Sequence, residues 1–393
     1  MKILSVNAGS SSLKFQLYEM PEERVLISGT FERIGSVNDS FYTIKFNGDK
    51  IRKDASLSNH EDAVNLLTKE LLDNKIVASL DEIKGIGHRV VHGGDLFDKT
   101  VLINEEIIKQ ISDLSVLAPL HNPGAVVGMK AFQRFIPEAK ATAVFDTAFH
   151  QTMAKETYLY ALPYEWYTKY KVRRYGAHGT SHKFIANKLS ELLNKNDAKV
   201  IVCHIGNGAS ITAVDSGKCV DTSMGFTPNA GVVMGTRSGD IDASIIPYMM
   251  EQANLSPKDI DNVINKQSGL LGISNISNDH RDIENGITNN DEMCILAEKI
   301  YVRRIVDYIA KYYVLLNGVD AIAFTAGVGE NSWQLRKRVI DKLAVLGIKL
   351  NEDINKGATE EQLITTSDSS IPCYVIPTDE ELMIARDTYE LVK

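Results

Sequence analysis

Three features of this 393-residue sequence predict an α/β fold with an internal duplication. Strand-like and helix-like stretches alternate along the chain, as they do in mixed α/β architectures. A turn of small residues flanked by two strands occurs at residues 7–12 and returns at 206–210, which is repetition on the scale of a domain, not of a solenoid. The length suggests two or three domains, and 44% hydrophobic with 24% charged residues can supply a large core without disulfides or a structural metal.

Each element has a local signal. Residues 2–6 and 13–18 read as the first two strands. In the second, Leu13, Phe15 and Leu17 alternate with Lys14, Gln16 and Tyr18, a period of two with one buried face. Residues 61–74 have helical periodicity through Val64, Leu67 and Leu71. A short apolar strand at 141–145 stops at Asp146, and 183–193 reads as a helix. The opening pattern then repeats: an apolar strand at 199–205, the small-residue turn, and a strand at 211–214. A long helix at 293–316 ends at Asn317-Gly318, a good stop signal. Residues 321–324 form a strand, followed by a glycine-rich turn at 327–331 and a helix from Ser332. A last strand covers 374–376 and a last helix 380–391.

Composition excludes several function classes. A net charge of -8 argues against bulk attraction to nucleic acid or to anionic membrane. Anionic substrates would therefore need positive charge concentrated in a cleft. Cys203, Cys219, Cys294 and Cys373 form no C-x-x-C pair, which argues against a zinc knuckle and fits a reducing compartment. The N-terminus reaches Ser5 and Asn7 too soon for a signal peptide. No apolar run approaches the ~18 residues of a membrane helix. A cytoplasmic location is expected.

Three turns rich in Gly, Ser and Asn follow strands: 7–12, 206–210 and 327–331. Small residues let backbone N–H groups approach a phosphate, and a following helix adds its positive end. One such turn is ordinary punctuation. Three, two of them in duplicated positions, favour phosphate binding. None matches a Walker A loop or G-x-G-x-x-G, so P-loop and Rossmann readings are weak.

A second constellation is polar residues inside apolar or glycine-bounded segments. Arg89 ends a strand in His88-Arg89-Val90-Val91-His92-Gly93-Gly94, and Arg237 sits in Met234-Gly235-Thr236-Arg237-Ser238-Gly239-Asp240. Asp146 stands at a strand terminus, and Leu120-His121-Asn122-Pro123 is a polar turn. His178 and His182 are four apart in the segment 175–182. Each has a plain structural explanation: a helix cap for Asp146, surface ion pairs for the arginines, supporting hydrogen bonds for the histidines. The histidines could also ligate a metal, with no third ligand evident. Arginine nevertheless grips phosphate or carboxylate in two-point fashion, and such a set suits phosphoryl transfer, which needs positioning and charge neutralisation.

Taken in order, these segments resemble the acetate kinase (acetokinase) family. They are Asn7-Ala8-Gly9-Ser10-Ser11-Ser12-Leu13-Lys14, the segment 87–94, Phe145-Asp146-Thr147-Ala148-Phe149-His150, the segments 175–182 and 234–240, and Ala326-Gly327-Val328-Gly329-Glu330-Asn331. The resemblance runs nearly end to end. It implies the superfamily of acetate and sugar kinases, heat-shock chaperones and actin: two duplicated actin-like (ribonuclease H-like) βββαβαβα domains with an active-site cleft between them. The implied domains are 1–148 plus 380–393, on the substrate and metal side, and 149–379, which binds nucleotide and forms the dimer.

The resemblance also implies the reaction ATP + acetate ⇌ ADP + acetyl phosphate with Mg²⁺ (or Mn²⁺), by direct in-line transfer. Arg89 and Arg237 would bind acetate and the transferring phosphoryl group. Asp146 would be essential, and His178 would stabilise the equatorial oxygens. Val91, Leu120, Ala177 and Pro228 would line the space for the acetate methyl. Ser10, Ser12 and Lys14 would form the first phosphate hairpin, and His204, Ile205, Gly206, Asn207 and Gly208 the second, with His121 in support. Asp279, His280 and Arg281 would flank the adenosine, and Gly327, Val328, Gly329 and Asn331 would close the nucleotide pocket. Asn7 and Glu380 would organise the metal. A homodimer is expected, with no nucleic-acid or membrane partner.

Some family members carry phenylalanine where this chain has Ala177, and the smaller side chain could admit propionate. Gly124 and Asn229-Ala230 depart from the family pattern beside the motifs, with little expected effect. Three other readings stand alongside: a propionate kinase of the same family, a non-enzymatic nucleotide switch, and a phosphatase or polyphosphate-handling relative.

Overall fold

The computed structural model describes residues 1–36 and 38–393. The chain divides into two compact units, Met1–Phe149 with Asp379–Lys393, and His150–Thr378. Among the described residues no helix is long and apolar enough to cross a membrane.

The first unit holds an eight-stranded sheet: β1 (Lys2–Ala8), β2 (Ser12–Glu19), β3 (Arg24–Glu32), β4 (Phe41–Phe46), β5 (Asp49–Asp54), β6 (Ile83–Val90), β7 (Val101–Leu102) and β8 (Lys140–Phe145), in the order β5-β4-β3-β2-β1-β6-β8-β7. The first five strands form an antiparallel meander, while β1, β6 and β8 run parallel. The alternation in β2 holds except at Tyr18, which lies on the opposite face and is also buried, packed with Ala385 and Val392 of the C-terminal helix. Leu13, Phe15 and Leu17 are buried, and Phe15 meets Phe31, which stacks on Tyr42.

The second unit holds six strands: β9 (Lys199–Ile205), β10 (Ala209–Asp215), β11 (Lys218–Thr222), β12 (Ala321–Thr325), β13 (Gln362–Leu363) and β14 (Cys373–Val375), in the order β11-β10-β9-β12-β14-β13. Its core repeats the first sheet: β11-β10-β9-β12-β14 answers β3-β2-β1-β6-β8, with the same antiparallel hairpins and parallel pairs. The expected duplication is present. The first unit takes its last helix from the far end of the sequence, whereas in the second a helix that directly precedes β9 covers the equivalent strands. Helix Glu380–Val392 packs on β1, β6 and β8, and helix Gly179–Leu193 packs on β9 and β12.

The C-terminal helix explains two glycines in β6. A Cβ at Gly87 would lie 2.3 Å from Thr388 Oγ1 and 2.5 Å from Ile384 Cγ2, and one at Gly85 would meet Ile3, Thr388 and Val392 at about 3 Å. The strand carries no side chain there because the helix lies directly on its backbone.

The glycine-rich stretch after β12 corrects an expectation: it is a helix, Ala326–Asn331, not a turn. Ala326 enters it at φ 65, and its N–H donates to Glu330 Oε1 at 2.7 Å. The same carboxylate oxygen accepts from the Thr378 N–H at 3.1 Å. Gly329 faces the strands, where a Cβ would be in ordinary contact, 3.5 Å from the Phe324 carbonyl carbon.

Candidate active site

In the first unit the parallel strands bring their C-terminal ends together, the edge where open α/β sheets bind ligands. Val6 is level with His88, and Val90 with Phe145. Asn7, Arg89 and Asp146 therefore share that edge. The Asp146 N–H donates to the Val90 carbonyl at 3.0 Å, which fixes the carboxylate's departure from the sheet. Arg89 Nε donates to Asp146 Oδ1 (3.1 Å) and Oδ2 (3.0 Å), and Arg89 Nη2 donates to Oδ2 (2.6 Å). Glu380 Oε2 lies 3.9 Å from Arg89 Nη2.

This is a mostly buried cluster with Asp146 1% exposed, so the charges are felt. Burial works against the Arg89 cation, but the Asp146 and Glu380 carboxylates outweigh it and the net pKa is raised. Glu380 is shifted upward, by burial first and then by Asp146 and Glu381, with Arg89 opposing. Two carboxylates share one guanidinium, whose Nη1 makes no hydrogen bond among the described residues.

The hairpin tip joining β1 and β2 exposes Ser10 and Ser12, closed by the Gly9 N–H donating to the Ser12 carbonyl at 2.9 Å. Lys14 pairs with Glu381 at 2.5 Å. Gly124, expected to matter little, touches this tip: a Cβ there would sit 2.9 Å from the Gly9 carbonyl oxygen. Helix Asn122–Phe135 can lie against the turn only with glycine at that position. Val91 is half-buried and Leu120 is exposed. His88 belongs to the core, set edge-on to Phe132, with its pKa pushed down by burial to about 3. Asn122, noted in the sequence only as part of the polar segment 120–123, is fully buried at the start of its helix and exchanges hydrogen bonds with the His92 backbone at both N–H and carbonyl.

In the second unit the β9–β10 tip is a closed turn, with the Gly206 N–H donating to the Gly208 carbonyl at 3.1 Å. The Asn207 carbonyl accepts from the Gly235 N–H at 2.9 Å, tying the tip to the loop that carries Arg237. Arg237 Nη1 donates to the Pro228 carbonyl at 3.1 Å, and no carboxylate pairs with the guanidinium among the described residues. Burial without a counter-ion lowers its pKa. His178 stands beside it. A Cβ at Gly208 would be 3.2 Å from Arg237 Nη1 and 3.7 Å from both Cε1 and Nε2 of His178. Gly208, Arg237 and His178 therefore border one space, and the glycine keeps it open. Asn229, also expected to have little effect, supports this loop: its Nδ2 donates to the Ile264 carbonyl at 2.8 Å, and its Oδ1 accepts from Ser238 Oγ at 3.2 Å.

His178 stacks on His204 with ring centroids 4.1 Å apart. His178 Nδ1 meets Ser210 Oγ at 2.9 Å, and His182 Nε2 meets the same hydroxyl at 2.7 Å. Both rings thus meet one hydroxyl of β10, His182 from within helix Gly179–Leu193 and His178 from its cap. Ala177 is buried, and its carbonyl meets His150 Nε2 at 3.0 Å.

A cavity of about 800 Å³ opens next to the β9–β10 tip. Gly206 and Asn207 form one side, Asp279, His280 and Arg281 another, and Gly327, Val328 and Asn331 a third. Its volume suits a nucleotide-sized ligand. Ile205 and Gly329 do not line it; both turn into the core, so either could meet a ligand only through its backbone.

Several lining residues had no sequence signal, including Asn278, whose Nδ2 donates to Asn207 Oδ1 at 3.0 Å, and Glu284. Below the cavity, His280 Nε2 meets Glu298 Oε2 at 3.0 Å, and Arg338 bridges Glu298 (2.7 Å) and Glu284. Burial alone would raise the Glu298 pKa, but His280 and Arg338 hold it below the ordinary value. These side chains come from three separate helices, and each alone reads as a solvated helix face.

Comparison with known proteins adds the following. The sequence model of the acetokinase family matches residues 2–386. The chain is 52% identical over 391 residues to the acetate kinase of Chlorante-Aster yellows phytoplasma, covering 100% of this chain and 95% of that protein. Its structure is similar to crystal structures of Porphyromonas gingivalis acetate kinase (TM-score 0.95, 41% identity, all of both chains) and of a propionate kinase from Francisella tularensis (TM-score 0.93, 43% identity, 99% of each chain).

Proposed function

The chain belongs to the acetokinase family, and on that premise we propose that its reaction is a direct transfer of the γ-phosphoryl group of ATP to a short carboxylate, carried by the residues placed above. The protein is a phosphotransferase with a carboxyl acceptor, and acetate is that acceptor: ATP + acetate ⇌ ADP + acetyl phosphate.

The single observation that supports the residue roles best is Arg237. It is a partly buried cation with no acidic partner among the described residues, and it borders an open space shared with His178 and Gly208. Such an arginine gains most from an anionic ligand. Arg237 and His178 are assigned to the transferring phosphoryl group. Arg89 is assigned to the acetate, presenting Nη1 while Asp146 holds its other edge. Asp146 is then the group that orients Arg89. Asn207 with Gly206 and Gly208 is assigned to the nucleotide phosphates. Asp279, His280 and Arg281 flank the adenosine, opposite Gly327, Val328 and Asn331. Ser10, Ser12 and Lys14 are assigned to the phosphate side of the first unit.

Acetate is already an anion at neutral pH, so no general base is needed. The difficulty is bringing two anions together. Unit charges about 4 Å apart repel by ~4 kcal/mol at an effective dielectric near 20, which arginines placed in advance can offset.

The family's kinases use ATP and a divalent metal. We assign that metal to Asn7 and Glu380 and name it as Mg²⁺, with Mn²⁺ as a substitute. The donor set fits: both offer hard oxygen, and the first unit's cluster carries more carboxylate than its one guanidinium balances. When bound, the ion supplies neutralisation of phosphate charge.

The assembly is proposed to be a homodimer. Helices Tyr164–Tyr170 and Ile245–Gln252 contain no buried residue, yet carry exposed Trp166, Tyr170, Ile245 and Tyr248. Sedimentation of the intact protein as a monomer would contradict this. The reaction is assigned to the cytoplasm, with which four buried, unpaired cysteines agree.

Acceptor choice is tested by trapping the acyl phosphate with hydroxylamine across formate, acetate, propionate and butyrate. Acetate is expected to give the highest kcat/KM. The margin over propionate is modest, because one methylene is worth only ~1–3 kcal/mol. A tenfold preference for propionate would replace acetate by propionate as the acceptor.

A further inference from the structure

The Ser210 hydroxyl stands between two imidazoles. Its Oγ is 2.9 Å from His178 Nδ1 and 2.7 Å from His182 Nε2, and the serine is fully buried in β10. A hydroxyl has one proton to give, so it can donate to one ring and must accept from the other. Which ring is which follows from the far side of His182. The other ring nitrogen, Nδ1, is buried with no hydrogen-bond partner among the described residues. Burial holds the His182 ring neutral, aided by the nearby His150 and His204, so it carries a single proton. A proton on Nδ1 would be an orphaned buried donor, a costly and rare arrangement. The proton therefore sits on Nε2 and is donated to Ser210. The serine proton in turn goes to His178 Nδ1, and a neutral His178 carries its own proton on Nε2. That nitrogen is on the side of the ring nearest Gly208, where Arg237 also lies.

The backbone agrees. His178 caps helix Gly179–Leu193 at φ 58, a left-handed conformation, and makes no side-chain capping bond. The side chain is committed to Ser210 instead of to its own helix.

We propose that Ser210 is a positioning residue: backed by His182, its hydroxyl sets the Nε2–H tautomer of His178 and so aims an N–H donor at the transferring phosphoryl group. This rests on the assignment of His178 to that group. The opposite tautomer would face anionic oxygens with a lone pair.

The test combines ¹⁵N NMR of histidine-labelled protein with kinetics, the His178 signal being identified by its loss in His178→Ala. Wild-type His178 is expected to have a protonated Nε2 and a bare Nδ1 at neutral pH, and Ser210→Ala to show mixed tautomers. Ser210→Ala is expected to lower kcat roughly tenfold, with KM for ATP and acetate within about twofold, because the lost hydrogen bond serves the reacting geometry and not ground-state binding. Ser210→Thr, which keeps the hydroxyl, should recover most of kcat. A wild-type His178 protonated on Nδ1 would overturn the inference, even if every variant proved unstable. Full activity in Ser210→Ala beside an inactive His178→Ala would refute the serine's role alone. Full activity in His178→Ala would remove the catalytic assignment of His178, and the inference with it.

Discussion

Replacing Asp146 by asparagine is expected to cut turnover by about three orders of magnitude while leaving ATP binding nearly intact. Asp146 meets Arg89 in three contacts between 2.6 and 3.1 Å, and is itself 1% exposed. Asparagine keeps the size but removes the charge, and one of its two terminal positions becomes an amide that cannot accept from the guanidinium. Arg89 would then be a desolvated cation with Glu380 as its nearest carboxylate, at 3.9 Å. Breaking one partner out of a buried charge pair costs roughly 2–5 kcal/mol, so kcat should fall on the order of 10³-fold. The cavity in the second unit contains none of these atoms, so the Kd for ATP should change little. Isothermal titration and steady-state rates on the same preparation decide it. Retained activity would remove Asp146 from the catalytic set.

Arg237→Ala should have the second largest effect, and by a different route. Arg237 has no acidic partner among the described residues to leave stranded, so its removal costs little in the free protein and is read as a loss of ligand stabilisation. Its burial without a counter-ion even predicts that the alanine protein unfolds at an equal or higher temperature. The loss in kcat/KM should be roughly 2–5 kcal/mol, or about 30- to 5,000-fold. Arg237→Lys should recover only part, since an ammonium cannot bind two phosphoryl oxygens in fork fashion. Rate loss with no fall in Tm is the expected signature. Unchanged kinetics would refute the assignment.

How much of this was legible beforehand depended on the range of each interaction. The alternation of Leu13, Phe15 and Leu17 is local, and it gave β2 its correct buried face. The two hairpins were legible because a strand, a small-residue turn and a strand lie within a few residues of one another. Gly85 and Gly87 were not legible, because what demands them is a helix beginning at Glu380. The stretch after β12 misled because glycine usually breaks helices. Here the Glu330 carboxylate reaches back to the Ala326 N–H and closes a short helix. His178 and His182 stood out only as a pair four residues apart. The hydroxyl they share is on β10, which no local pattern reveals. Glu284, Glu298 and Arg338 remained hidden for the same reason.

The central claim is that the carboxylate oxygen attacks phosphorus directly, with the protein supplying only position and neutralising charge. The most direct measurement is the stereochemical course at phosphorus, using ATP whose γ-phosphoryl group is made chiral with oxygen isotopes and acetate as acceptor. One direct displacement predicts acetyl phosphate of inverted configuration. Retention would require two displacements through a phosphorylated side chain, and would contradict the account.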